Sequence, residues 1–161
     1  MPIDLRSPAF ENGQFMPKRF TALGPGGGHS PPLRWDNVPG NVRSFALIMD
    51  DEDAAGGPKA HWVVYDIPPE FRELPEHLPA KPTLPAGPKE WVHIRQGRND
   101  FGGIGYAGPR PDRERLHHYA FTLYALDAVL HLSPGAGKDE LLGAMAGHII
   151  DSGQLRTVFS E

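Results

Sequence analysis

Four stretches of this sequence set titratable groups beside apolar runs. Asp50-Asp51-Glu52-Asp53 follows Ser44-Phe-Ala-Leu-Ile-Met49, and His61 opens His61-Trp-Val-Val-Tyr-Asp-Ile67. Gly105-Tyr106-Ala-Gly108-Pro109 comes next, and His117-His118-Tyr119 leads into a run ending at Leu126. Two imidazoles and a phenol can donate hydrogen bonds to a phosphoryl or carboxylate oxygen, and backbone amides near Gly108 can add more. Asp51 has a different task in such a group. It can hold a histidine in one tautomer, raise its basicity, or accept a bond from a protonated phosphate or an ammonium head.

Each feature alone has a plainer reading. A lone histidine at a strand edge is more often a hydrogen-bonded structural group than a ligand. Four adjacent acids most simply form a solvated turn. Their mutual repulsion would suit calcium, but the spacing lacks the D-x-D-x-D-G-x₅-E loop. Two histidines and a carboxylate would also suit a metal triad or an acid–base pair, yet no nucleophile or complete metal pattern accompanies them.

Other motifs fail on context. Gly103-Ile-Gly105-Tyr-Ala-Gly108 fits G-x-G-x-x-G, but Pro109-Arg-Pro111 follows where a helix must begin. Gly137-Lys138 ends like a P-loop, but Asp139 stands at the magnesium-binding Ser/Thr position and Leu132 replaces the first glycine. No G-x-S-x-G elbow is present. The residues therefore imply no cofactor.

The elements that must position these groups are mostly strands. The short apolar run 44–49 predicts a strand buried on both faces, and 61–67 predicts a second, stopped by Pro68-Pro69. Residues 90–96 form a third candidate, with Trp91, His93 and Arg95 opposite Val92 and Ile94. In 118–126, Tyr119, Phe121, Leu123 and Ala125 share one face, while Ala120, Thr122, Tyr124 and Leu126 share the other. Both faces are largely apolar, which predicts a central strand. Helical spacing of Leu141, Leu142, Met145, Ile149 and Ile150 predicts an amphipathic helix over 138–151, weakened by Gly143 and Gly147. Pro68 to Pro88 holds seven prolines and predicts a long surface excursion with one helical turn around Phe71 to Leu74.

With 161 residues, 39% hydrophobic and 22% charged, the chain fits a single globular domain spanning 1–161. A formal net charge of -4 without a basic stripe argues against nucleic acid as a partner. Cysteine is absent, which excludes disulfides and thiolate chemistry. The first residues carry an acid early and no apolar run, and no stretch reaches the roughly 18 apolar residues of a spanning helix. A cytoplasmic location is the default expectation.

Together, and in order, these motifs resemble the phosphatidylethanolamine-binding protein family, nearest its bacterial and archaeal Raf kinase inhibitor-like branch. That pattern runs D-P-D-A-P, H-W-V-V-x-x-I-P, N-x-F-G-x-x-G-Y-x-G-P and H-R-Y-x-F-T-L-Y-A-L. The last two read here Asn99-Asp-Phe101-Gly-Gly-Ile-Gly105-Tyr-Ala-Gly-Pro109 and His117-His-Tyr119-Ala-Phe-Thr-Leu-Tyr-Ala-Leu126. The resemblance implies a mainly β fold: a large central sheet, a smaller sheet on one side and a C-terminal helix on the other. It also implies a pocket for phosphate-like or carboxylate-like anions and the phosphatidylethanolamine head group. Carried over, its residues are Asp51, His61, Gly108, Pro109, His117 and Tyr119, with Tyr106 at the rim. Glu52 and Ala55 replace the prolines of D-P-D-A-P, His118 replaces the arginine, and Arg110 and Asp112 replace a cysteine and a proline.

The leading expectation is a non-enzymatic binding protein for small anionic or phospholipid-head ligands. Regulation of kinase signalling through protein contacts ranks second, and a hydrolase or metal-dependent enzyme using the same pocket ranks third. A homodimer is the expected assembly.

Overall fold

Two antiparallel sheets enclose the main core of the computed structural model, which describes residues 2–84, 93–110 and 112–160. The larger contains β3 (Ser44–Asp51), β4 (Lys59–Ile67), β6 (Arg95–Gln96), β7 (His117–Leu126) and β8 (Ile149–Phe159), in the order β6-β4-β3-β7-β8. The smaller contains β1 (Asp4–Arg6), β2 (Leu33–Asp36) and β5 (Glu73–Leu74), in the order β1-β2-β5.

Alternation along the long strands produces two cores, because successive side chains of a strand leave on opposite faces. Phe45, Leu47, Met49, Trp62, Val64, Phe121 and Leu123 face the small sheet, meeting Leu5, Leu33, Trp35 and Leu74. Ile48, Val63, Tyr65 and Leu126 face the other way, against Ala136, Leu141 and Met145. The last two belong to the helix α1 (Lys138–Met145). Burying each contributes about 1.5–3 kcal/mol, which a helix this short and glycine-bearing needs. Asp139 and Glu140 lie in its first turn, where the helix dipole favours acids.

The predicted helix is too long. It ends at Met145, and Gly147 turns the chain at φ 81°. Ile149 and Ile150 instead start β8, an 11-residue strand that sequence reasoning missed. Its alternation is plain once seen: Gly153, Leu155, Thr157 and Phe159 are buried, while Gln154 and Arg156 are exposed. The two adjacent isoleucines matched both periods, and the helical one was the wrong choice. Two smaller expectations also change. Glu73–Leu74 pairs with β2 rather than forming a helical turn. In the stretch 90–96, residues 90–92 lie outside the described residues, as do 85–88 of the proline-rich excursion; among the described residues 93–96, Arg95–Gln96 form a strand.

Register at one end of the large sheet prepares the site. Asp51 of β3 stands opposite Tyr119 of β7, and Asp50 opposite Ala120. On the other side Met49 pairs with Trp62 but Asp50 with Ala60. His61 is therefore the extra residue of a β-bulge, a device that bends a strand and re-aims a side chain.

Candidate functional site

A cavity of about 540 Å3 opens at that bulged end, lined by residues that include Asp51, Lys59, His61, Phe101, Asp112, His117 and Tyr119. Four of the predicted site residues thus meet in one place: Asp51, His61, His117 and Tyr119. They come from β3, β4 and β7, so the sheet itself fixes their spacing.

His61 is 2% exposed and is held by the segment after β6. Its Nδ1 lies 2.7 Å from the Ala107 carbonyl, and its own carbonyl accepts the Ala107 N–H at 2.8 Å. A carbonyl can only accept, so Nδ1 carries the proton and Nε2 is the nitrogen left for a ligand. Burial lowers the His61 pKa below its ordinary value, outweighing the Ala107 carbonyl and the charge of Asp51, which raise it. Near neutral pH this ring is uncharged, and Nε2 accepts rather than donates. That sharpens the sequence reading, in which both imidazoles donate.

His117 is the opposite case. Its Nδ1 lies 2.7 Å from Asp51 Oδ2 and its Nε2 lies 2.7 Å from Asp112 Oδ2. Both contacts are satisfied only when both nitrogens carry protons. Partial burial works against the charge, but the hydrogen bonds to Asp112 and Asp51 and their negative charges prevail, and the pKa is raised. Asp51 is itself 5% exposed, and its Oδ1 caps the following turn by accepting the Asp53 N–H at 2.9 Å. Glu52 and Asp53 point elsewhere. Glu52 pairs with Arg156, and Asp53 accepts from the His118 amide at 2.7 Å.

Tyr119 stacks near His117, with ring centroids 6.3 Å apart, and meets His61 edge-on at 5.4 Å. Burial, then the charges of Asp51, Asp112 and Asp53, hold its hydroxyl well above the ordinary tyrosine range. It stays a donor at any physiological pH.

The other wall was not read from the sequence. Asn99 organises it: Oδ1 accepts from the amides of Phe101 and Gly103, and Nδ2 donates to the Gly105 carbonyl. Gly105 sits at φ 87°, a region where a side chain is strained. This loop presses Phe101 against His61 at 4.6 Å, and the Arg110 guanidinium lies 5.0 Å above the Phe101 ring. Such a cation over an aromatic face is a favourable arrangement. Phe101 was visible in the N-x-F-G motif, whereas Arg110 and Asp112 stood out merely as departures from a pattern.

Gly108, Pro109 and Tyr106 lie one layer behind the cavity wall rather than on it. A Cβ on Gly108 would come within 2.6 Å of the Thr21 carbonyl carbon and 2.7 Å of the Gly27 oxygen. Pro109 accepts the Ala22 N–H at 2.8 Å, and the Tyr106 hydroxyl donates to the Phe20 carbonyl at 2.6 Å. These three lock the 99–110 segment to the loop at 20–28, and so aim Arg110 toward the cavity. Tyr106 lines a separate cavity beside His29 and His77. Among the described residues no group of three or more His, Asp or Glu is arranged to hold a metal ion. No helix among them is long and apolar enough to cross a membrane.

Comparison with known proteins agrees with the sequence motifs. Residues 6–160 match the model of the phosphatidylethanolamine-binding protein family. A UPF0098 protein of Methanothermobacter thermautotrophicus is 44% identical over 153 residues, covering 95% of each chain. One from Pyrococcus horikoshii is 44% identical over 150 residues, covering 92% of this chain and 72% of its own. Among solved structures, a phosphatidylethanolamine-binding protein homologue from Chlamydia trachomatis superimposes with a TM-score of 0.84 at 35% identity, over 99% of this chain and 98% of its own. YbcL of E. coli, a member of the mammalian PEBP family, gives 0.86 at 27% identity, over 100% and 99%. By its matched residues, its relatives and its two-sheet architecture, the chain belongs to the phosphatidylethanolamine-binding protein family.

Proposed function

We propose that the protein is a non-enzymatic binding protein whose cavity takes a small phosphate-bearing ligand, such as a phospholipid head group. One observation carries the reading: His117, with both ring nitrogens 2.7 Å from carboxylate oxygens, Tyr119, and His61, with Nδ1 on a carbonyl and Nε2 left to accept, line one cavity. A monoprotonated phosphate matches that set. Its charged oxygens accept from the phenol and, once Asp112 yields, from the imidazolium, while the P–OH of hydrogen phosphate, or the ammonium of an ethanolamine head group that has no P–OH, donates to His61 Nε2. Lys59 and Arg110 at the cavity wall supply further positive charge. Family membership supports a binding role, and the absence of an activated nucleophile in the motifs favours binding over catalysis.

Calorimetric titration of phosphoethanolamine between pH 5.5 and 9 tests this. Binding is expected to weaken as pH rises through the raised His117 pKa, and His61→Ala is expected to abolish it. Binding unchanged across that range, or unaffected by His61→Ala, would overturn the assignment. So would turnover of a phosphomonoester that is lost in His117→Ala.

A further inference from the structure

One side of His117 that an anion needs is already taken. Asp51 holds Nδ1 from within β3, where its side chain is 8% exposed. Asp112 holds Nε2 from a surface loop, with 33% of its side chain exposed. The two carboxylates therefore differ in how freely they can leave. Each caps its own turn through Oδ1, Asp51 for the Asp53 N–H and Asp112 for the Glu114 N–H, both at 2.9 Å, so what separates them is that Asp51 is packed in the sheet while Asp112 has open space to swing its Oδ2 away. The imidazolium has two N–H donors, and protein carboxylates occupy both.

We infer that Asp112 is an internal competitor for the anion site: it occupies the Nε2 donor of His117 until a ligand displaces it, and so sets a threshold that a phosphoryl dianion clears and a monocarboxylate does not. The inference rests on the anion-binding reading above. A ligand gains at this donor only the difference between its own bond and the one Asp112 gives up. A free carboxylate is chemically the same as Asp112 and gains nothing there. It also competes against a tethered group whose effective concentration is of millimolar order. A phosphoryl dianion brings more charge and a third acceptor oxygen, so it reaches His117 and Tyr119 together. Besides Asp112, the charged and titratable groups that line the cavity with His117 are Asp51 from β3, Lys59 and His61 from β4, Tyr119 from β7, and Arg110, Arg113 and Glu114 from the segment before β7, with Asp53 near enough for its charge to act on His117.

The test is calorimetry with inorganic phosphate and with acetate on the unmodified protein, Asp112→Ala and Asp112→Asn. Both variants are expected to bind both anions more tightly, by roughly tenfold or more in the alanine. The displacement cost is common to both anions, so the two affinities are expected to rise by similar factors. Asp112→Asn keeps an acceptor for the Glu114 amide and supplies the reading if the alanine melts early. Phosphate affinity equal to or weaker than that of the unmodified protein in the folded variants overturns the competitor role and leaves the anion site standing. Phosphate binding by none of the three proteins overturns the anion site, and the competitor with it.

Discussion

Replacing Asp51 with asparagine isolates the bond that organises the site. The carboxylate gives one oxygen to the His117 imidazolium at 2.7 Å and the other to the Asp53 amide at 2.9 Å. An asparagine oxygen still accepts from Asp53, so the loss is one charge-assisted hydrogen bond between groups 8% and 12% exposed. Bonds of that type contribute about 1.5–3 kcal/mol when little exposed. The pH dependence follows from the sign of the shift. The folded pKa of His117 is raised, so its stabilisation is fully present below the unfolded value of about 6.5 and fades as pH rises through the folded value. The asparagine lowers that folded value. The stability difference between the two proteins should therefore be largest near pH 6 and should shrink toward pH 9. Urea denaturation at several pH values, with the His117 titration followed by NMR, measures both quantities. A difference that is constant with pH, or that grows on the alkaline side, would show that the Asp51–His117 bond does not organise the site.

His61 should show the opposite slope: its folded pKa is lowered by burial, so the folded state loses stability as pH falls through about 6.5, and His61→Gln should flatten that loss in the same denaturation series. Tyr119→Phe removes a donor without touching the packing, and should weaken phosphate binding by about 2- to 13-fold in calorimetry, the equivalent of 0.5–1.5 kcal/mol, with an unchanged melt. Gly108→Ala places a Cβ against backbone at 2.6 Å and should cost about 1–3 kcal/mol in chemical denaturation. Gln96→Leu strips the Trp62 Nε1–H of its acceptor at 2.8 Å, and the Pro79 and Lys81 carbonyls of their donor. It should lower denaturation stability by about 2–4 kcal/mol.

Much of this was legible in the sequence because the relevant strands carry unambiguous patterns. The run 118–126 shows its two faces residue by residue, and the structure puts Tyr119, Phe121, Leu123 and Ala125 in one core and Leu126 in the other. Asp51, His61, His117 and Tyr119 converge because they stand at one end of neighbouring strands, which the order of motifs already implied. What stayed hidden depended on tertiary context. Ile149 and Ile150 suit either period, and Gly147 decides the outcome through a positive φ that composition cannot specify. Gly108 and Pro109 came from the family motif, and their packing against the loop at 20–28 could not be read from it, because the sequence does not say which backbone a glycine approaches. Asp112 carried no motif, and its contact with His117 depends on how the loop folds back.

The anion site is tested most sharply by a crystal structure of the protein soaked in phosphate. Phosphate is expected in the cavity, within hydrogen-bonding distance of His61, Tyr119 and His117, with Asp112 turned away from Nε2. An unoccupied cavity at saturating phosphate, or phosphate bound only elsewhere on the surface, would contradict the assignment.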